Sequence, residues 1–358
     1  MVIAGLMSGS SLDGLDLAIC NFVIEDNHLD WTLISHATIP FSELIFDQLS
    51  KITELSAKEL VKLDHEFAEF CAIAVSDYTS ANNIELDYIA SHGHTVYHEP
   101  QDRYTLQIGN GGVIAALSGV PTICDFRVND VALGGQGAPI VPIVEKYLFP
   151  DIKYFLNLGG IANISIHAES IIAYDICPCN QILNNLAQKR GKTYDDGGAM
   201  AAQGEIHQGL LDSLHALDYF KASPPKSLDN SWVQSKFYNL FDQFELTPED
   251  GLATMTSFIA QTIGHEVGAN GVATEEMTEL MITGGGAYNS FLIKRISDQL
   301  PNHIKIKSTD PALIEAKEAI LMALMGYLRV EEKANTLTSV TGASGETCGG
   351  AIYVPYGN

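Results

Sequence analysis

Positive charge is scarce in this sequence. Its 358 residues carry 20 Lys plus Arg against 44 Asp plus Glu, a formal net charge of −24. A surface of that sign repels phosphate backbones and anionic bilayers, which argues against nucleic-acid and membrane partners. Long hydrophobic runs are missing too, since no stretch approaches the roughly 18 uninterrupted apolar residues of a membrane span. The start, MVIAGLMSGSS, lacks a basic n-region and its apolar run breaks at Gly5, unlike an ordinary secretory signal. Six cysteines (Cys20, Cys71, Cys124, Cys177, Cys179, Cys348) are scattered without C-x-x-C pairing. That fits reduced thiols in the cytoplasm better than a disulfide framework. Cys177-Pro178-Cys179 has no second ligand pair with which to complete a metal site. Low-complexity tracts, like-charge runs and repeats of solenoid period are absent, and 46% of residues are apolar. The chain therefore reads as ordered throughout and long enough for two domains.

What it does have is glycine-rich turns in a set order: GLMSGSSLDGLD at 5 to 16, NLGGIAN at 157 to 163 and TGGGAYN at 283 to 289, with DICPCN at 175 to 180 between the last two. A glycine turn after an apolar strand brings bare backbone N–H groups against phosphate oxygens, because no Cβ holds the anion away. Several such turns, each after a strand-like run (Val2 to Gly5, Tyr154 to Leu158, Leu280 to Thr283), describe an ATP site in a cleft between two domains. No Gly-Lys-Ser/Thr follows any of them, so the expected recognition is by paired hairpins and not by a P-loop.

Organisation follows from periodicity. Leu15 to Phe22 reads as a strand closing a hairpin with Val2 to Gly5, and another strand falls near Trp31 to Thr38. From Ser56 to Ala81, Leu60, Leu63, Phe67, Phe70, Cys71 and Ala74 recur at three- and four-residue spacing behind an N-cap at Ser56, an amphipathic helix. Short strands at Tyr88 to Ser91 and Val120 to Phe126 end in SHGHTVYHEP and DFRVNDVALGGQGAP. Strands alternating with helices give an α/β class whose ligands lie beyond the strand ends. The run GGQGAPIVP, 134 to 142, reads as a hinge. The expected domains are therefore 1–133, rejoined by 341–358, and 134–340. In the second, strands are expected near 154 to 158, 161 to 166, 171 to 174 and 279 to 283, with helices near 180 to 190, 255 to 270, 290 to 300 and 313 to 330.

The turn Gly9-Ser10-Ser11-Leu12-Asp13-Gly14 offers amides, two hydroxyls and a carboxylate suited to phosphates and, through water, to Mg²⁺. Its structural alternative is a hairpin in which Asp13-Gly14 supplies only positive φ. Gly284 to Gly286 could face an adenosine or α-phosphate where Asn289 opens a helix. Asp175 follows the run Ile171 to Tyr174 at an expected strand end, where a carboxylate can act as a general base; a cap or turn aspartate is the alternative. His92, His94 and His98 lack a positioned carboxylate or cysteine, so they read as substrate hydrogen-bonding groups and not a zinc site.

These motifs, with YDDGGAMAAQGEI, PPKSL at 224 to 228 and EAKEAILMAL at 315 to 324, make the chain resemble the anhydro-N-acetylmuramic acid kinases over nearly its whole length. That family lies in the acetate and sugar kinase, Hsp70 and actin superfamily, so the resemblance implies a two-domain actin-like ATPase fold with an interdomain cleft. It implies ATP-dependent conversion of 1,6-anhydro-N-acetylmuramic acid to the 6-phosphate in peptidoglycan recycling, with ATP and Mg²⁺. Asp175 matches the catalytic aspartate. Gly9, Ser10, Ser11, Leu12, Asp13, Gly14, Leu15 and Asp16 match the nucleotide loop, joined by Asn157, Gly159, Gly160, Asn163, Gly284, Gly285, Gly286 and Asn289. His92, Arg127, Asn180 and Glu318 match or neighbour sugar contacts. The partners expected are thus ATP and an anhydro-sugar, with a homodimer the one protein assembly considered. The family usually reads Asp-Thr-Gly-Pro-Gly-Asn where this chain has Asp175-Ile176-Cys177-Pro178-Cys179-Asn180, Gln for His94, and Thr-Gly-Arg-Glu for Leu228-Asp229-Asn230-Ser231. A kinase of another anhydro-sugar and a non-catalytic, nucleotide-gated sugar sensor are the competing readings; a chaperone would need a peptide-binding domain for which there is no length.

Overall fold

Alternation along the first strand decides how the N-terminal unit is built. In β1 (Val2–Ser8), Ala4 and Leu6 join a core with Phe67, while Ile3 and Gly5 face the opposite side of the sheet. The helix Ala57–Asn82 covers the first side; its N-cap is Ser56, whose side chain and that of Glu59 form a capping box. The helix Pro311–Val330 covers the second. It approaches so closely that a Cβ on Gly5 would collide with the Ala319 carbonyl, and one on Gly326 would sit 2.6 Å from the Ala90 Cβ. β2 (Leu15–Glu25) and β3 (His28–Ile39) continue antiparallel from β1, whereas β4 (Tyr88–Glu99) lies parallel to it. β5 (Tyr104–Ile108) folds back on β4; β6 (Thr122–Cys124) runs parallel to β4.

The computed structural model of the protein describes residues 1–9, 12–25, 28–168, 170–224, 226–270 and 276–356. Two units emerge, Met1–Phe149 with Glu315–Asn358, and Pro150–Ile314. The second repeats the plan. β7 (Tyr154–Leu158), β8 (Ile161–His167) and β9 (Ile171–Pro178) form an antiparallel meander; β10 (Thr278–Thr283) is parallel to β7 and β11 (Ile304–Lys307) parallel to β10. With β12 (Ala351–Tyr353) added antiparallel to β6, the sheet orders are β12-β6-β4-β1-β2-β3 and β11-β10-β7-β8-β9. A meander extended by parallel strands on the side of its first strand, present twice, is the topology of the actin-like ATPase fold. No helix among the described residues is long and apolar enough to cross a membrane.

Several elements differ from the sequence reading. Residues 134–142 lie inside the first unit and not at a boundary: buried Asp130 accepts hydrogen bonds from the Gly137 N–H at 2.7 Å and the Thr341 hydroxyl at 2.8 Å, and the Gln136 N–H reaches the Thr341 carbonyl. From Glu315 onward the 311–330 helix joins that unit as well, because its small residues Ala319, Ala323 and Gly326 pack on β1 and β4. β4 runs to Glu99, so His92, His94 and His98 sit on a strand and not in a loop. β9 runs to Pro178, which puts Asp175 within a strand and not at its end.

Candidate active site

In the second unit, strand register gathers residues the sequence scatters. Thr283 lies opposite Asn157, Asn157 opposite Asn163 and Asn163 opposite Asp175, a polar row across β10, β7, β8 and β9. Residues in register share a face, so these four side chains line one side of the sheet. A bulge ends the row. Asp175 pairs with Asn163 but Cys177 pairs with Ala162, which leaves Ile176 as the extra residue. One inserted residue flips the remainder of the strand: Cys177 faces the core with fully buried Ala162, while Asp175 stays half-buried on the open face. The cysteines that replace family glycines therefore add no atoms beside the carboxylate. Burial lifts the Cys179 thiol to about 12 and the Cys177 thiol well above its usual range, so both are uncharged near neutrality.

The glycine turns converge on this row. Gly284, at φ 81°, packs so that a Cβ would lie 2.7 Å from the Asn157 Oδ1, and a Cβ on Gly286 would lie 2.6 Å from that of Leu158. The Asn180 amide nitrogen donates to the Leu158 carbonyl at 2.8 Å. Asn180, expected at the sugar, thus ties the 157–160 hairpin to the helix Asn180–Gln188. That helix's first amides donate to the Gly159 and Gly160 carbonyls. Asn289 is the N-cap of the helix Ser290–Ser297, its Oδ1 accepting from the Leu292 N–H at 3.0 Å. It therefore caps that helix at the end of the glycine turn.

The Asp175 carboxylate is held on one side only. Its Oδ2 accepts hydrogen bonds from the Ser227 hydroxyl at 3.1 Å and the Leu228 N–H at 2.9 Å; its Oδ1 takes none among the described residues. One oxygen anchored and one open is the arrangement a general base needs.

The first unit carries the other motifs. Gly9 precedes a turn in which the Leu12 N–H reaches the Gly9 carbonyl and Leu12 itself adopts φ 56°; Ser10 and Ser11 lie outside the described residues. Gly14 abuts the Ile39 carbonyl, where a Cβ would lie at 2.7 Å, and buried Leu15 belongs to the core. Asp13 is exposed at the tip. Asp16, opposite Thr38, accepts its hydroxyl at 2.6 Å. Partial burial raises the Asp16 carboxyl above its usual range, and the Asp13 charge adds to this against the Thr38 hydrogen bond.

Glu318 keeps an open face although protein atoms crowd it. Crowding raises its carboxyl, with Asp16 next in effect and Asp13 also raising it, against Lys317 and Arg127. Three carboxylates that feel one another in this way would welcome a cation, although no group of three among the described residues is close enough to ligate one directly. A hydrated Mg²⁺ fits that donor set better than a caged one.

His92, expected to touch substrate, uses both of its ring nitrogens within the unit. Its Nδ1 donates to the Gly93 carbonyl at 3.0 Å, and its Nε2 accepts from the Arg127 Nε at 2.9 Å. A carbonyl can only accept and a guanidinium can only donate, so this tautomer is fixed. Burial, then the Arg127 charge, pushes the imidazole down to about 3. His92 is thus a neutral bracket for Arg127, whose Nη groups make no hydrogen bond among the described residues. His94 bonds the Ser8 hydroxyl at 2.9 Å and His98 that of Thr105 at 3.0 Å.

Duplicated topology, glycine hairpins and a half-anchored carboxylate define the class, an ATP-dependent phosphotransferase of the actin-like ATPase fold. The chain belongs to the anhydro-N-acetylmuramic acid kinase family, whose profile matches residues 1–355. Similar relatives include the anhydro-N-acetylmuramic acid kinases of Aliivibrio fischeri, 35% identical over 366 residues and 98% of each chain, and of Synechococcus elongatus, 35% identical over 379 residues and 99% of each. Among solved structures, the activator of the 2-hydroxyisocaproyl-CoA dehydratase from Clostridium difficile with bound ADPNP aligns with TM-score 0.42 at 13% identity, covering 94% of this chain and 99% of that one. At that score the strand order, and not the alignment, defines the fold.

Proposed function

We propose that the protein uses ATP to convert 1,6-anhydro-N-acetylmuramic acid to N-acetylmuramic acid 6-phosphate, in the cytoplasm, as a step of peptidoglycan recycling. The observation that carries this reading is the Asp175 carboxylate, fixed through Oδ2 with Oδ1 open, at the end of the row from Thr283. Asp175 takes a proton from a water that adds to C1 of the sugar. The bond from C1 to the bridging O6 breaks with its electron pair on oxygen, and O6 forms a bond to the γ-phosphorus as ADP leaves. The Arg127 fork, steadied by His92, suits the sugar's lactyl carboxylate, because a guanidinium and a carboxylate match in two parallel hydrogen bonds. Glu318 would accept from sugar hydroxyls. Gly9 to Asp16, with the 157–163 hairpin and Gly284 to Gly286, would take the nucleotide. Asp13 would hold hydrated Mg²⁺, which neutralises charge on the phosphoryl oxygens.

The test is ADP release with Mg-ATP and a panel of anhydro-sugars. The expected outcome is turnover with 1,6-anhydro-N-acetylmuramic acid and a loss of about 10²-fold or more in the Asp175→Asn variant, since a general base contributes about 10² to 10⁴. ADP formed only with a different anhydro-sugar would overturn the substrate while leaving the reaction class.

A further inference from the structure

Asp175 is gripped at four points by one short segment. Its N–H donates to the Lys226 carbonyl at 3.1 Å, and its carbonyl accepts from the Tyr219 hydroxyl at 2.6 Å. Its Oδ2 takes the Ser227 hydroxyl and the Leu228 N–H. All of these partners, Tyr219, Lys226, Ser227 and Leu228, are close in sequence and bond β9, the edge strand of its sheet.

The segment has its own anchor. The Lys226 ammonium is 5% exposed and bonds the equally buried Glu266 carboxylate at 2.7 Å and the Ala222 carbonyl at 3.1 Å. The Tyr174 and Tyr219 rings flank it, with centroids 6.0 and 5.1 Å from Nζ, and the Tyr174 hydroxyl donates to the other Glu266 oxygen at 3.0 Å. Glu266 stands on the long helix Pro248–Asn270, whose apolar residues fill the core of this unit. Buried ion pairs contribute little net stability compared with apolar packing, so their use is better sought in the geometry they impose.

We infer that Lys226 and Ser227 are positioning residues for the base: the Lys226–Glu266 pair fixes the segment to the core, and Ser227 with the Leu228 amide holds Oδ2 so that Oδ1 faces the reacting water. The inference rests on Asp175 being that base. The contact at 228 is made by backbone, so the Leu228 side chain is indifferent to it. Ser227, by contrast, acts through its hydroxyl.

The experiment is steady-state kinetics of Ser227→Ala and Ser227→Thr, each in the parent and in the Asp175→Asn background. Ser227→Ala should lower kcat about tenfold, the scale of one hydrogen bond to a charged group, with the sugar KM unchanged. Ser227→Thr should restore kcat to within about twofold, and neither change should alter the residual turnover of Asp175→Asn. Lys226→Met alone strands a buried Glu266 and risks unfolding. The pair Lys226→Met with Glu266→Gln removes both charges, leaves Tyr174 an acceptor, and should lower kcat likewise in a folded protein. Parent-like kcat in Ser227→Ala and in the Lys226/Glu266 pair, alongside a large loss in Asp175→Asn, would overturn the inference and leave the base assignment standing. A raised sugar KM at unchanged kcat would overturn it in favour of direct substrate contact. Near-parent turnover in Asp175→Asn would remove the base assignment itself.

Discussion

Acid should loosen the first unit through His92. The ring is buried, held neutral between the Gly93 carbonyl and the Arg127 guanidinium, and its pKa is pushed from the ordinary 6.5 down to about 3. In the unfolded chain the same ring binds its proton near 6.5, so between these values the unfolded state holds more protons and acid favours it. Stability present above pH 6.5 is therefore lost as pH falls toward 3. A pH of 5 lies about 1.5 units below the unfolded pKa, and at about 1.4 kcal/mol per unit this one histidine costs about 2 kcal/mol relative to pH 7. His92→Gln keeps an oxygen that can accept from Arg127 and removes the titration. Hydrogen exchange of the β4 amides, corrected for intrinsic rates and measured at pH 7 and pH 5, compares the two proteins; other titrating groups act on both and cancel. The parent should lose about 2 kcal/mol more protection than the variant. Equal losses would show that His92 is not held neutral, and the bracket on Arg127 would fall with it.

Asp13→Asn should raise the Mg²⁺ concentration needed for half-maximal turnover without changing the melting temperature, because an exposed tip carboxylate acts through charge; normal turnover at limiting Mg²⁺ would reduce Asp13 to a turn residue. Gly5→Ala should destabilise the first unit by about 1–3 kcal/mol, since its Cβ would press into the Ala319 carbonyl. The displaced helix carries Glu318, so the same variant should show a raised sugar KM, and an unchanged melting temperature would refute that packing.

The sequence discloses what is local. Ser56, ahead of apolar residues at three- and four-residue spacing, announces a helix start, and the structure places the helix at Ala57–Asn82. The pairings of β1 with β2 and of β7 with β8 can be read because glycine turns between apolar runs are local signals too. Register is not local. The row from Thr283 to Asp175 spans more than a hundred residues of chain, and nothing in any one strand reveals which residue will face which. The segment holding Asp175 lies about 50 positions away and works partly through backbone, which leaves no mark in residue type. Glycine and proline at 134–142 suggest a hinge because composition cannot distinguish a hinge from a loop pinned by a buried aspartate, here Asp130. β5 escapes the sequence reading because Tyr104–Ile108 is short and mostly solvent-facing.

The last prediction concerns Cys177, whose glycine counterpart in relatives would suggest a backbone kept bare for a ligand. On a regular strand, positions 175 and 177 would share a face, and the thiol would crowd the base. The bulge at Ile176 breaks that alternation and turns Cys177 toward Ala162 and the core. Restoring the glycine should therefore leave kcat and the sugar KM within about twofold of the parent. It should instead cost stability, about 1–3 kcal/mol, from lost core contacts and the added freedom of an unfolded glycine. Thermal denaturation and ADP-release kinetics on Cys177→Gly separate the two outcomes. A gain in turnover beyond tenfold, or a new preference among anhydro-sugars, would mean that the side chain at 177 does shape the site and that the bulge does not shield Asp175 from it.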